Sequence, residues 1–327
     1  MKLVALEEHM ATPALQDAWG GLSITSADGD DIAALLNDIG EERLRRMDDE
    51  GVDVQVLSLG TPGMQDLEPR LGVELARSTN DVIADAVAAH PDRFQGFAAL
   101  PVTDPDAAAA ELRRAVSEQG LVGALLNGRA AGDRMHDHAA FEGIFATAAE
   151  LRVPLYLHPR QPHPAVESLY YRGVQAVTEA FEIWGVGWYY ESGIQLFRLI
   201  FSGLFDRYPD LQVIIGHWGD AAVLLADPVS MPDPLQLGLR KPIERYLREN
   251  VYVTGSGIRS HRALRWSIEA VGADRVMFAT DYPWVRADGA TRNGGARRFL
   301  TESGLPADQI ELIAHKNWDA LVSGIRR

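Results

Sequence analysis

Residues 94–127, FQGFAALPVTDPDAAAAELRRAVSEQGLVGALLN, hold a complete strand–helix–strand unit. The run 94–101 is short and almost wholly apolar, as expected of a strand covered on both faces. Asp104 before Pro105 is a good helix start, and Gly120 is a natural stop for the alanine-rich run between them. A second apolar strand then follows at 121–127. Outward from this unit the same rhythm recurs. Strands are expected at 2–8, 52–59, 94–101, 121–127, 153–158, 211–217, 251–257 and 275–281, with helical periodicity over 70–89, 190–209 and 261–275. Strand and helix alternating eight times predicts an α/β fold of the (β/α)8 TIM-barrel type. The open doubly wound sheet is the rival, but no Gly-x-Gly-x-x-Gly follows an early strand.

Two stretches break the rhythm. Residues 11–40 form a mixed segment before the helix of EERLRRMDDEG. Residues 160–190 form an aromatic-rich insertion after strand five, with Tyr170, Tyr171, Phe181, Trp184, Trp188, Tyr189 and Tyr190. An insertion of that length reads as a lid or a contact surface. No repeat, low-complexity run or linker composition divides the chain, so 1–327 is expected to be a single domain.

The composition narrows the function. With 31 Lys and Arg against 46 Asp and Glu, the net charge of −15 disfavours nucleic-acid backbones and anionic membranes as partners. There is no cysteine, so disulfides, thiolate nucleophiles and Cys-ligated metals are excluded. No run approaches the roughly 18 apolar residues of a membrane span, and no signal pattern opens the chain. A cytoplasmic enzyme acting on a small molecule is the expectation.

The strand ends carry the chemistry. Strand one runs from Leu3 through Leu6 into Glu7, Glu8 and His9; strand five ends at His158, strand six at His217 and strand eight at Asp281. Glu7 and His9 are two apart and so share a strand face. In a barrel all these ends meet at one mouth, where barrel enzymes keep their active sites. Any one of these residues could be a satisfied core group or a turn cap. Together, Glu7, His9, His158 and Asp281 offer two nitrogens and two carboxylates, a set that suits one divalent Zn²⁺ or Mn²⁺. His217 is then free for acid–base work, with Asp220 three residues on to orient it if a helix starts there. Asn127, at the tip of strand four, could donate to a substrate oxygen, and Trp188 and Tyr189 could wall the site. His136 and His138 read as solvated loop residues, and His163 could approach the mouth.

Several segments are also familiar as sequence. ALEEH, RFQGFAALP, LVGALLNG, VPLYLHPR, SGLFDRYPDLQVIIGHWGD and RVMFATDYPW resemble the amidohydrolase-related aromatic acid decarboxylases, the γ-resorcylate, 2,3-dihydroxybenzoate and salicylate enzymes and their aminocarboxymuconate-semialdehyde relatives. The resemblance implies a metal-dependent barrel with Glu7, His9, His158 and Asp281 as ligands. A hydroxylated aromatic acid would chelate the metal through its carboxylate and ortho-hydroxyl. Asp281 would protonate the ring, while His217 and Asp220 shape the charge. A homo-oligomer, dimer or tetramer, is expected from the aromatic insertion. Two departures stand out: Asp220 replaces the family's usual Glu, and no Arg follows in AAVLLADPVSMPDP. Hydrolysis of a lactone, amide or C–C bond on the same scaffold is therefore kept as the alternative.

Overall fold

In the computed structural model, residues 1–21, 31–130, 134–173, 180–225, 233–285 and 295–327 are described. The apolar runs become parallel strands β1 (Val4–Met10), β2 (Val54–Leu59), β3 (Phe94–Gly96), β4 (Ala98–Ala99), β5 (Ala124–Asn127), β6 (Leu155–His158), β7 (Val213–Ile215) and β8 (Val251–Val253). β3 and β4 are halves of one stave. The Phe97 N–H turns to Leu57 O at 2.8 Å and the Ala98 N–H to Gly123 O at 2.8 Å, which joins the two runs of strands. The eighth stave is made by bridges alone, Val253 with Val276 and Leu6 with Ala279, and these close the ring. Its expected regular strand over 275–281 does not form; the stave meets each neighbour at a single bridge.

The inner and outer faces follow the two-residue strand period. Val4, Leu6, Val54, Val56, Ile214 and Met277 share one buried cluster inside the barrel. Leu3, Ala5 and Leu57, from the opposite faces, join the larger cluster beneath the helices. Those helices form where expected. The one at Pro105–Ser117 is capped by Asp104, which accepts from the Ala107 N–H at 3.1 Å, and Gly120 has the left-handed φ of 76° that follows such a stop. Trp318, from the last helix, is buried in the barrel cluster.

The insertion is more helical than its composition suggested. Its described part contains helical turns at Pro164–Tyr171 and Ala180–Gly185 before the helix Gly187–Phe201. Among the described residues no helix is long and apolar enough to cross a membrane. His136 corrects the expectation of a solvated residue: it is buried, with Nδ1 2.7 Å from Gln195 Oε1 and its ring against Phe141. The contact that buries it comes from a helix 59 residues away in sequence, beyond the reach of local reading.

Candidate metal centre and active site

Regular alternation along β1 would have placed the site residues on the wrong face. Val4 and Leu6 point into the barrel, so an unbroken strand would turn Glu7 and His9 outward. Instead the register slips between Ala5 and Glu8, which pair with Gln55 and Leu57, and Glu7 adopts a φ of 63°. This bulge inserts one residue and resets the phase. Glu7 and His9 now face inward and Glu8 faces away.

One ligand atom from each of Glu7, His9, His158 and Asp281 lies within 4.8 Å of the others. His9 Nε2 is 3.3 Å from Asp281 Oδ1, and His158 Nε2 is 3.3 Å from Glu7 Oε1. The surrounding bonds leave the inner atoms free. Glu7 Oε2 accepts from Tyr156 Oη and Ser256 Oγ, and His9 Nδ1 lies 3.2 Å from Ser58 Oγ. Glu7 Oε1 and His9 Nε2, both fully buried, have no hydrogen-bond partner among the described residues. Buried polar atoms without partners are costly, and a cation among them removes that cost. The residues fit a divalent ion: they offer two nitrogens and two oxygens, with Glu7 and His9 also held from behind. Gly216 permits this packing, since a Cβ there would run into Ser256 Oγ beside Glu7.

The electrostatics agree. Without a cation among them, burial pushes Glu7 and Asp281 up to about 7, partly opposed by His217, and presses His9 down to about 4. Burial likewise holds His158 well below the usual imidazole range. Both ligand imidazoles are thus neutral donors. His217 goes the other way. Burial alone would lower it, but Asp220, then Glu7 and Asp281, outweigh burial and raise it to about 9.

Asp220 Oδ1 lies 3.1 Å from His217 Nδ1, while its Oδ2 accepts from Ser192 Oγ. The connection is not the start of a right-handed helix. His217, Trp218, Gly219 and Asp220 all have left-handed φ, at 47°, 60°, 88° and 45°. The turn is held by Gly219 N–H to Gly216 O at 2.7 Å, Trp218 N–H to Thr254 O at 2.7 Å and His217 N–H to Ser256 Oγ at 2.9 Å. Each non-glycine residue in it costs about 1–2 kcal/mol. Strain of this kind collects at functional sites, where the surroundings hold it in place.

His158, His217 and Asp281 open on a cavity of about 560 Å³, and Glu7 and His9 lie fully buried beneath. Trp188 and Tyr189 line it as expected, and Tyr189 meets His217 edge-on at 5.2 Å. Asn127 does not line it: its side chain lies against Gly63, and its carbonyl accepts from Gln65. His163 instead caps a short helix, taking the Ala165 N–H at 3.1 Å. Among the lining residues that went unread in the sequence are the two cations Arg129 and Arg160, with the acids Asp66 and Glu167 on the same wall. Arg160 stands two residues after His158 and is largely buried, bound to Arg129 O and to Asp66. Its place directly after the strand-five ligand was the available signal.

The amidohydrolase family model matches residues 28–318. This chain belongs to the amidohydrolase family. Within that family it is 38% identical to γ-resorcylate decarboxylase from Polaromonas sp., over 88% of this chain and 90% of that one. Among solved structures it is similar to a dihydroxybenzoic acid decarboxylase of Polaromonas sp. with bound manganese and 2-nitroresorcinol. The two are 33% identical, with a TM-score of 0.87 over 98% and 97% of the chains. It is also similar to 5-carboxyvanillate decarboxylase from Novosphingobium aromaticivorans with manganese and a nitrobenzoic acid, at 30% identity and a TM-score of 0.85 over 98% and 96%.

Proposed function

We propose that this chain is a carboxy-lyase that removes CO₂ from a hydroxylated aromatic acid with one divalent metal ion, Mn²⁺ by preference, across a single domain of 327 residues. The observation that carries the reading is the four-ligand cluster opening on an aromatic-walled cavity that also holds Arg129 and Arg160. The two arginines, paired with Glu191 at 3.6 Å and with Asp66, supply guanidinium donors for an anionic substrate, in a chain with no Arg in the run AAVLLADPVSMPDP.

Glu7, His9, His158 and Asp281 would hold the ion. A divalent ion bound there would supply a Lewis acid for the substrate's carboxylate and ortho-hydroxyl and for the phenolate-like charge of the reacting ring. Trp188 and Tyr189 pack the planar ring, and the insertion that carries them acts as the lid. Asp281 gives its proton to the carbon bearing the carboxylate. The bond from that carbon to the carboxyl group breaks, its electron pair restores the aromatic ring and CO₂ leaves. Solvent then returns a proton to Asp281. His217, kept protonated by Asp220, faces the negative charge that develops.

The expected result is Mn²⁺-dependent CO₂ release from one or more members of a hydroxybenzoate panel, abolished by chelation and restored by Mn²⁺. Acid release from lactones without CO₂ from any hydroxybenzoate would replace this reading with the hydrolytic one.

The chain also assembles as a homo-oligomer in this proposal. Tyr190, Ile194 and Phe201 stand 42–46% exposed on one face of the helix Gly187–Phe201, beside Leu224 at 63%. An apolar face of that kind suits a partner surface. Sedimentation should give a dimer or larger species, shifted toward monomer by Ile194→Glu with Leu224→Glu. A wild-type monomer at micromolar concentration would refute it.

A further inference from the structure

We propose that Glu8 is a positioning residue that fixes the distance between the ligands of the first and eighth staves. Its carboxylate is fully buried, yet it neither lines the cavity nor joins the four-ligand cluster. A buried acid with no chemical task is expensive unless it is well bonded. Glu8 Oε1 accepts from the Thr280 backbone N–H at 2.8 Å. Glu8 Oε2 accepts from Thr280 Oγ1 and, at 3.0 Å, from Gln55 Nε2. It therefore ties the residue between Glu7 and His9 to the residue before Asp281.

The barrel needs such a tie at this seam. Among the described residues, the backbones of the first and eighth staves meet through the Leu6–Ala279 bridge and the bonds Leu6 N–H to Phe278 O at 2.9 Å and His9 N–H to Tyr282 O at 2.7 Å. Both sides depart from regular strand at the ligands, with φ at 63° for Glu7 and 57° for Asp281. No regular ladder sets their spacing. On the far side Arg43, also fully buried, donates to His9 O and lies 4.5 Å over the Tyr282 ring. The His9–Asp281 pair, 3.3 Å apart, is thus clamped immediately before and immediately after.

The inference rests on the metal-dependent reading above, and the test separates the two. Mn²⁺ affinity is measured by chelator competition on the full chain for wild type, Glu8→Gln, Thr280→Val and Thr280→Ser, with thermal melting of each metal-free protein. Glu8→Gln is expected to weaken Mn²⁺ binding about 10–100-fold, the usual range for groups that orient ligands from behind. Thr280→Val should weaken it less, and Thr280→Ser, which restores the hydroxyl, should bind as wild type. Should Glu8→Gln fail to fold, the Val and Ser pair decides. Wild-type affinity in Glu8→Gln and Thr280→Val, whatever their melting temperatures, overturns the proposal and makes Glu8 a core residue only. Wild-type protein that binds no Mn²⁺ overturns the metal reading itself.

Discussion

Asp281→Asn should lose CO₂ release by about 10²–10⁴-fold, the range for removing a proton donor, and should also retain less Mn²⁺. The two losses have separate origins. Asparagine keeps the shape but cannot give up a proton to a ring carbon, so turnover falls even at saturating metal. It also withdraws a negative charge 3.3 Å from His9 Nε2, in a cluster where no other partner meets that nitrogen. The mutant should fold, since the Asp281 backbone bonds to Trp284 and Val285 N–H, at 2.9 and 3.1 Å, do not involve the side chain. Turnover with saturating Mn²⁺, beside the metal content of dialysed protein, reads both effects. Normal rate and normal metal content would remove Asp281 from the site.

His217→Asn should show the opposite split, a rate about 10²-fold lower or worse with the metal still bound. His217 is not one of the four atoms that converge within 4.8 Å, yet it lines the same cavity. Its Nδ1 lies 3.1 Å from Asp220 Oδ1, whose other oxygen accepts from Ser192, so in the proposed reaction a charged imidazole would stand in a fixed place before substrate arrives. Asparagine keeps a hydrogen-bond donor and loses the cation. A His217→Asn protein purified without metal would show that the imidazole is a ligand, and the division of roles drawn here would fall.

The His217 mutant bears on one of the two places where the chain departs from the pattern it resembles. Asp220 is a methylene shorter than the usual Glu, yet it reaches His217 at 3.1 Å.

Much of this was legible in the sequence. Eight apolar runs separated by capped helices can bury their faces in few ways, so local patterning was enough for a barrel. The convergence of His and carboxylate residues at strand ends followed from topology, because parallel staves send all their C-terminal ends to one mouth. That is why strand order alone groups Glu7, His9, His158 and Asp281. What the sequence could not supply was phase and long-range packing. Alternation alone puts Glu7 and His9 on the face opposite Val4 and Leu6; only the bulge at Glu7, held by partners on other staves, turns them inward. Asn127 turned aside to Gly63, His136 was buried by Gln195, and Arg160 reached the cavity, each through contacts between residues far apart in the chain. Strand identity is a property of a few neighbouring residues and their hydropathy. The direction of a side chain at an irregular backbone position depends on whatever packs across from it, and only the folded barrel decides that.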